Sequence, residues 1–270
     1  MLMKKSRLRI FLILIAIAVT FNSANAEGTN NLSRVDKLMV EGALHFSEGN
    51  LDKAIADFSG VIQLNPTNDF AILNRATAYR AKGEFAKSIK DWSKYILLNP
   101  TNHLAFQQRA SCFAAIDEFD RALGDWNKSL RLDPNDATSL AMRGFCYNNK
   151  EQFDEALKDY YQAIQIDPKN ASAWNNLGWL RATCPVTSFR NGKEAVEAAT
   201  KACEFSDWKN WTRVDTLAAA FAEAGDFQQA IKFQEQALNL DETNNDKRKA
   251  MKNRLASFQK HQPFRQTPKR

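Results

Sequence analysis

The sequence has little of what metal, nucleotide or acyl-transfer chemistry requires. Its three histidines, His45, His103 and His261, stand alone, so they offer no metal-ligand pair. Its four cysteines form no C-x-x-C motif, and there is no G-x-S-x-G elbow and no phosphate-cradling glycine loop. The expectation is a protein that is not an enzyme, with no catalytic residue, metal, cofactor or small-molecule substrate. An enzymatic role would need a pocket assembled from residues distant in sequence. Long apolar runs are missing too, since none approaches the roughly 20 residues of a spanning helix.

The N-terminal run, Ile10 to Phe21, is 12 residues long. Lys4, Lys5, Arg7 and Arg9 precede it and Ala24-x-Ala26 follows, the pattern of a secretory signal cleaved after Ala26. An uncleaved anchor is the alternative, and the short run disfavours it. No cysteine follows Ala26 and no twin arginine precedes the run, which argues against a lipoprotein and a twin-arginine signal. Residues 1–26 are therefore read as a signal peptide, and the mature chain is expected in the periplasm or outside the cell.

Charge is segregated. Residues 247–270 hold nine basic residues and no acid, whereas 27–246 holds 24 basic against 31 acidic residues. An acidic body argues against nucleic acid as a partner, because binding many phosphates needs a basic surface. The basic segment leaves peripheral contact with an anionic membrane open.

What is abundant is repetition. In residues 137–170, Leu140, Gly144 and Tyr147 share one helical face, Phe153, Ala156, Tyr160 and Ala163 share a second, and Asp167-Pro168 closes it. Steps of 34 residues recover Phe106, Ala110, Phe113, Ala122, Trp126 and Pro134. A further step gives Ile72, Ala76, Tyr79, Ser88, Trp92 and Pro100, and another gives Leu38, Gly42, Ala54, Phe58 and Pro66. This pattern resembles the tetratricopeptide repeat, a helix–turn–helix unit of that length. The resemblance implies an all-α fold, a right-handed superhelical array, with four regular units over 35–170 after a polar lead at 27–34. Two further units follow over 171–244, the first carrying an inserted loop at 184–192 between Pro185 and Gly192. A basic capping helix is expected over 245–262, with Met251, Leu255 and Phe258 inward, and a disordered tail over 263–270. From Asn175 to Leu238 the pattern ATCP…RNGKEAVEAATKACEFSDWKN…DTLAAAFAEAGDF resembles the closing segment of a widespread group of bacterial tetratricopeptide-repeat proteins. There Phe189 and Asp207-Trp208-Lys209 would hold the longer loop.

Two sets of polar and aromatic residues stand out against this frame. Arg75, Arg109 and Arg143 recur on first helices, and Asp57, Asp91, Asp125 and Asp159 on second helices. They suggest a structural ladder with each guanidinium between the carboxylates of adjacent units; an anion-binding stripe is the alternative. The other side of each first helix lines the concave face in this repeat. Its positions hold Phe46, Phe70, Leu73, Arg80, Gln107, Phe145, Asn149, Asn175, Asn176 and Trp179, together with Met39 and Leu104. Large apolar residues beside amides suit a groove for a peptide, whereas the blander reading packs them against neighbouring units. Some relatives clamp a peptide's terminal carboxylate; the corresponding positions here hold Met39, Ala43, Asn74, Leu104 and Gln108, of which only Asn74 matches.

Cys112 and Cys146 fall at equivalent sites of successive units, too far apart to bridge, while Cys184 and Cys203 could pair only if the inserted loop folds back. The functional expectation is an exported scaffold that binds a protein or peptide in its groove within an envelope assembly. The alternative is a surface-associated structural protein docking on anionic lipid or polymer through 247–270. Neither the partner's identity nor the oligomeric state is legible here.

Overall fold

The computed structural model describes residues 33–241 and 246–267. The signal segment, most of the polar lead and residues 268–270 lie outside the described residues. Among the described residues there are 13 α-helices and no strand. They are α1 (Arg34–Ser47), α2 (Leu51–Leu64), α3 (Asp69–Lys82), α4 (Phe85–Leu98), α5 (His103–Ala115) and α6 (Phe119–Leu132). The chain continues with α7 (Ala137–Asn149), α8 (Phe153–Ile166), α9 (Ala171–Thr183), α10 (Gly192–Glu204), α11 (Trp211–Glu223), α12 (Phe227–Leu240) and α13 (Asp246–Gln259). Two compact units divide it, one ending at Asp125 and one beginning at Trp126, so the boundary falls inside α6.

The helix starts have a local cause. Ser33, Asn68, Asn102, Asp136, Asn170 and Asn210 each accept a hydrogen bond from a first-turn N–H of the odd-numbered helix that follows. Each such cap contributes about 1 kcal/mol. The second helices α2, α4, α6 and α8 stop two residues before Pro66, Pro100, Pro134 and Pro168, which could not continue them.

In the first unit, α1 packs on α2 and α3 on α4, with Ala54, Phe58, Ile72, Ala76 and Trp92 buried between them. In the second, α7 to α12 form three helical hairpins, and α13 lies against α12 and α11 with Met251 and Phe258 fully buried and Leu255 beside them. Gly144 lets α7 and α8 approach closely: a Cβ there would stand 2.6 Å from the Tyr160 ring.

The arginine–aspartate set corrects the expected ladder. Arg75 donates through Nε and Nη2 to Asp91 at 2.7 and 2.8 Å, and through Nη1 to Ser59 Oγ at 3.0 Å. Arg109 repeats this with Asp125 and Ser93, and Arg143 with Asp159 and Asn127. Each guanidinium therefore lies between its own unit's carboxylate and a neutral acceptor of the preceding unit, not between two carboxylates. A second carboxylate would crowd the first, whereas Ser59 and Ser93 donate to Ile55 O and Ile89 O and accept from arginine. Asp57 has no arginine; the unit's first helix carries Glu41 at that position, and Asp57 pairs with His45 Nδ1 at 2.6 Å.

The inserted loop is short and tied down. Thr187–Phe189 makes one 3₁₀ turn, and Phe189 packs on Phe153 with ring centroids 5.2 Å apart. Arg190, which sequence reasoning passed over, donates to Cys184 O, Pro185 O and Thr187 Oγ1 and pairs with Glu223. Asp207 and Trp208 adopt left-handed backbone after α10, with Trp208 stacked on Phe233.

All four cysteines are buried free thiols, so the Cys184–Cys203 bridge is not made. The expected disorder over 263–270 is also corrected: residues 263–267 are packed along α9, because Phe264, Arg265 and the Gln266 N–H each find a partner there or on α11.

Candidate partner groove

Five of the ten expected groove residues meet in the second unit. Phe145 and Asn149 from α7 and Asn175, Asn176 and Trp179 from α9 line one cavity of about 400 Å³. They converge because α7 and α9 begin at equivalent points of successive repeats, and each presents the same face. Asn149 Nδ2 donates to Phe145 O at 2.9 Å, and Asn176 Nδ2 to Ala141 O at 3.3 Å. These bonds fix both amides on the wall. Asn148 Oδ1 and Asn175 Oδ1 are buried at the same cavity with no hydrogen-bond donor. An orphaned amide oxygen on a cavity wall suits an incoming N–H.

The other five expected residues belong to the first unit. Phe46 packs on the α1–α2 core and Leu73 on the α3–α4 core, Gln107 is buried, and Phe70 and Arg80 are exposed. They do not line this cavity.

The far wall contains residues that sequence reasoning missed. Asp215 of α11, buried, takes both oxygens of its carboxylate to Arg254 of α13 at 2.7 and 2.8 Å, and Gln234 Nε2 donates to it at 2.7 Å. Burial raises its carboxyl above the usual range, with Arg254 and Gln234 pulling the other way. The Arg254 guanidinium also stands over the Trp179 ring at 5.6 Å. Asp215 occupies in its repeat the position that Asn175 holds in its own, so position-by-position reading of the sixth unit would have found it. Arg254 had no such signal, being one of nine cations in a basic segment.

The cavity thus offers aromatic surface, neutral amides, one neutralised carboxylate and the Lys247 side chain. Aromatic surface beside amides is the chemistry that suits an extended chain, pockets for its side chains and hydrogen bonds for its backbone.

Comparison with known proteins agrees with this architecture. Residues 144–181 match a family model described as TPR repeat, and residues 126–158 and 216–244 match models described as tetratricopeptide repeat. No curated protein matches the sequence. Among solved structures, a tetratricopeptide repeat protein from Parabacteroides merdae ATCC 43184 has a TM-score of 0.68 at 17% identity, over 84% of this chain and 88% of its own. A chain of the APC/C hetero-tetramer Cut9–Hcn1 has 0.70 at 17% identity, over 92% of this chain and 46% of its own. MamA from Desulfovibrio magneticus RS-1 has 0.58 at 16% identity, over 66% and 97%. At such identities the likeness is one of fold. The chain carries tetratricopeptide repeats within 126–181 and 216–244 and is all-α among the described residues; proteins built from such repeats are generally non-catalytic scaffolds that bind proteins or peptides.

Proposed function

We propose that the protein is an exported adaptor that holds a protein or peptide partner against the Phe145–Trp179 face of its second unit, within an envelope assembly. The observation that carries the reading is the cavity where two aromatic side chains and two donor-less amide oxygens meet. Export rests on the basic start, the 12-residue apolar run and Ala24-x-Ala26. Fractionation of cells should give a chain that begins at Glu27 outside the cytoplasm; an intact N-terminus in the cytoplasm defeats the export reading.

The decisive experiment is an affinity pull-down from cell envelopes with residues 27–270, beside a Phe145→Ala/Trp179→Ala variant of unchanged circular dichroism. A partner retained by the first and lost from the second supports groove binding. The same partners on both would sink it. They would favour the other reading, docking of 247–270 on anionic lipid or polymer, for which Lys249, Lys252 and Lys260 are exposed.

A further inference from the structure

The groove of the second unit already holds part of this chain. The Phe264 ring packs on Trp179 with centroids 5.8 Å apart, and Arg254 stands over both rings. One helical turn further along α9, the Gln266 N–H donates to Thr183 O at 2.9 Å. Arg265 pairs with Glu223 of α11 and reaches the Ala182 carbonyl. Gln266 then forms part of the wall of the cavity that Phe145 and Asn175 also line. Phe264, Gln266 and Thr267 also line a smaller cavity with Asn148, Asn149 and Trp179, so the segment borders the amides of the site.

We propose that residues 263–267 are an internal ligand of this groove. The partner is a peptide segment carrying an aromatic residue followed by arginine, and it binds by displacing them. This rests on the reading of the groove as the partner site and adds the partner's chemistry and its competitor.

Displacement is favoured by what the segment leaves behind. When Arg265 departs, Glu223 keeps Arg190. When Phe264 departs, Trp179 keeps the face of Arg254, and Arg254 keeps Asp215. No buried charge is orphaned, which is what makes most ion-pair exchanges costly. The helix that delivers the segment is anchored separately by the fully buried Met251 and Phe258, whereas residues 263–266 are only half-buried and Thr267 is exposed. The segment can therefore leave while α13 stays. A ligand tethered this closely competes at an effective concentration in the millimolar range, so it lowers the apparent affinity of any partner in proportion to its own occupancy.

The test uses a fluorescent peptide with the sequence of residues 262–270, titrated against the native chain and two full-length variants. Phe264→Ala/Arg265→Ala removes the side chains, and Gln266→Pro removes the N–H that reaches Thr183 O while keeping Phe264 and Arg265. Both variants should bind the peptide at least tenfold more tightly than the native chain. Adding Trp179→Ala to either should abolish the gain, and a scrambled peptide should bind none of them. Equal affinity for native chain and variants, binding indifferent to Trp179→Ala, or no binding to any form overturns the proposal. If the peptide ignores the tail while the envelope partner is still lost from Phe145→Ala/Trp179→Ala, the internal ligand falls and the groove reading survives. If the partner is indifferent too, both fall.

Discussion

At the residue scale the strongest constraints are buried charges held in forks. Asp125 is buried, and Arg109 supplies both of its hydrogen bonds from a planar guanidinium. Arg109→Ala leaves that carboxylate without its partner and should cost about 3–5 kcal/mol, read as a lowered midpoint in urea. Arg109→Ala/Asp125→Ala should lose less than Arg109→Ala alone, because no orphan charge remains. Thiols act in the opposite way, by refusing charge. Burial pushes Cys146 and Cys203 up to about 12. An unfolded thiol ionises near 8.5, so the unfolded chain releases protons that the folded chain keeps. Their contribution is complete below about pH 8.5 and is lost as pH rises toward 12, at about 1.4 kcal/mol per pH unit for each thiol. Melting temperatures between pH 8 and 11 should fall, and Cys146→Ala should flatten the fall.

At the element scale, glycine tests how closely the helices and the inserted loop approach. A Cβ on Gly192, at the start of α10, would stand 2.7 Å from the backbone of Ala224 just beyond α11. Gly192→Ala should therefore cost about 1–3 kcal/mol by forcing main chain apart. Gly124, inside α6, has nothing within 4 Å of the equivalent position and a right-handed backbone. Gly124→Ala should stabilise by about 0.5–1 kcal/mol, and paired urea titrations would show the two signs. The elements themselves were legible in the sequence, because asparagine or aspartate caps and proline stops recur with the 34-residue period. Phe145 and Trp179 were legible as equivalent positions 34 apart on successive first helices, and Asn149, Asn175 and Asn176 as their neighbours on the same helical faces. The ladder was misread although its answer recurs too: Ser59, Ser93 and Asn127 are 34 apart and accept the third guanidinium bond. The tail was misread because proline, glutamine and cations are the composition of disorder. Phe264 was its one contrary signal.

At the scale of the whole molecule, charge and groove make different demands on the solvent. The basic segment 247–270 is the natural candidate for an anionic surface, with nine cations against an acidic remainder. Three of those cations face inward. Arg248 donates to Leu238 O and Asp241 O, Arg254 holds Asp215, and Arg265 pairs with Glu223. Part of the positive charge therefore fastens α13 and the segment after it onto the second unit, which weakens the case for the segment as a free electrostatic anchor. A partner held in the groove rests mainly on Phe145, Trp179 and neutral amides, with one part-buried ion pair to Glu223, so its binding should weaken far less than vesicle binding as salt is raised to about 1 M, where the Debye length is about 3 Å. Binding to anionic vesicles through exposed lysines should collapse over the same range. Measuring retention of the envelope partner across that titration separates the two. A loss parallel to vesicle release would move the contact from the groove to the lysines of α13. A far smaller loss would place it on the aromatic face, where burial of apolar surface carries most of the affinity whatever the ionic strength.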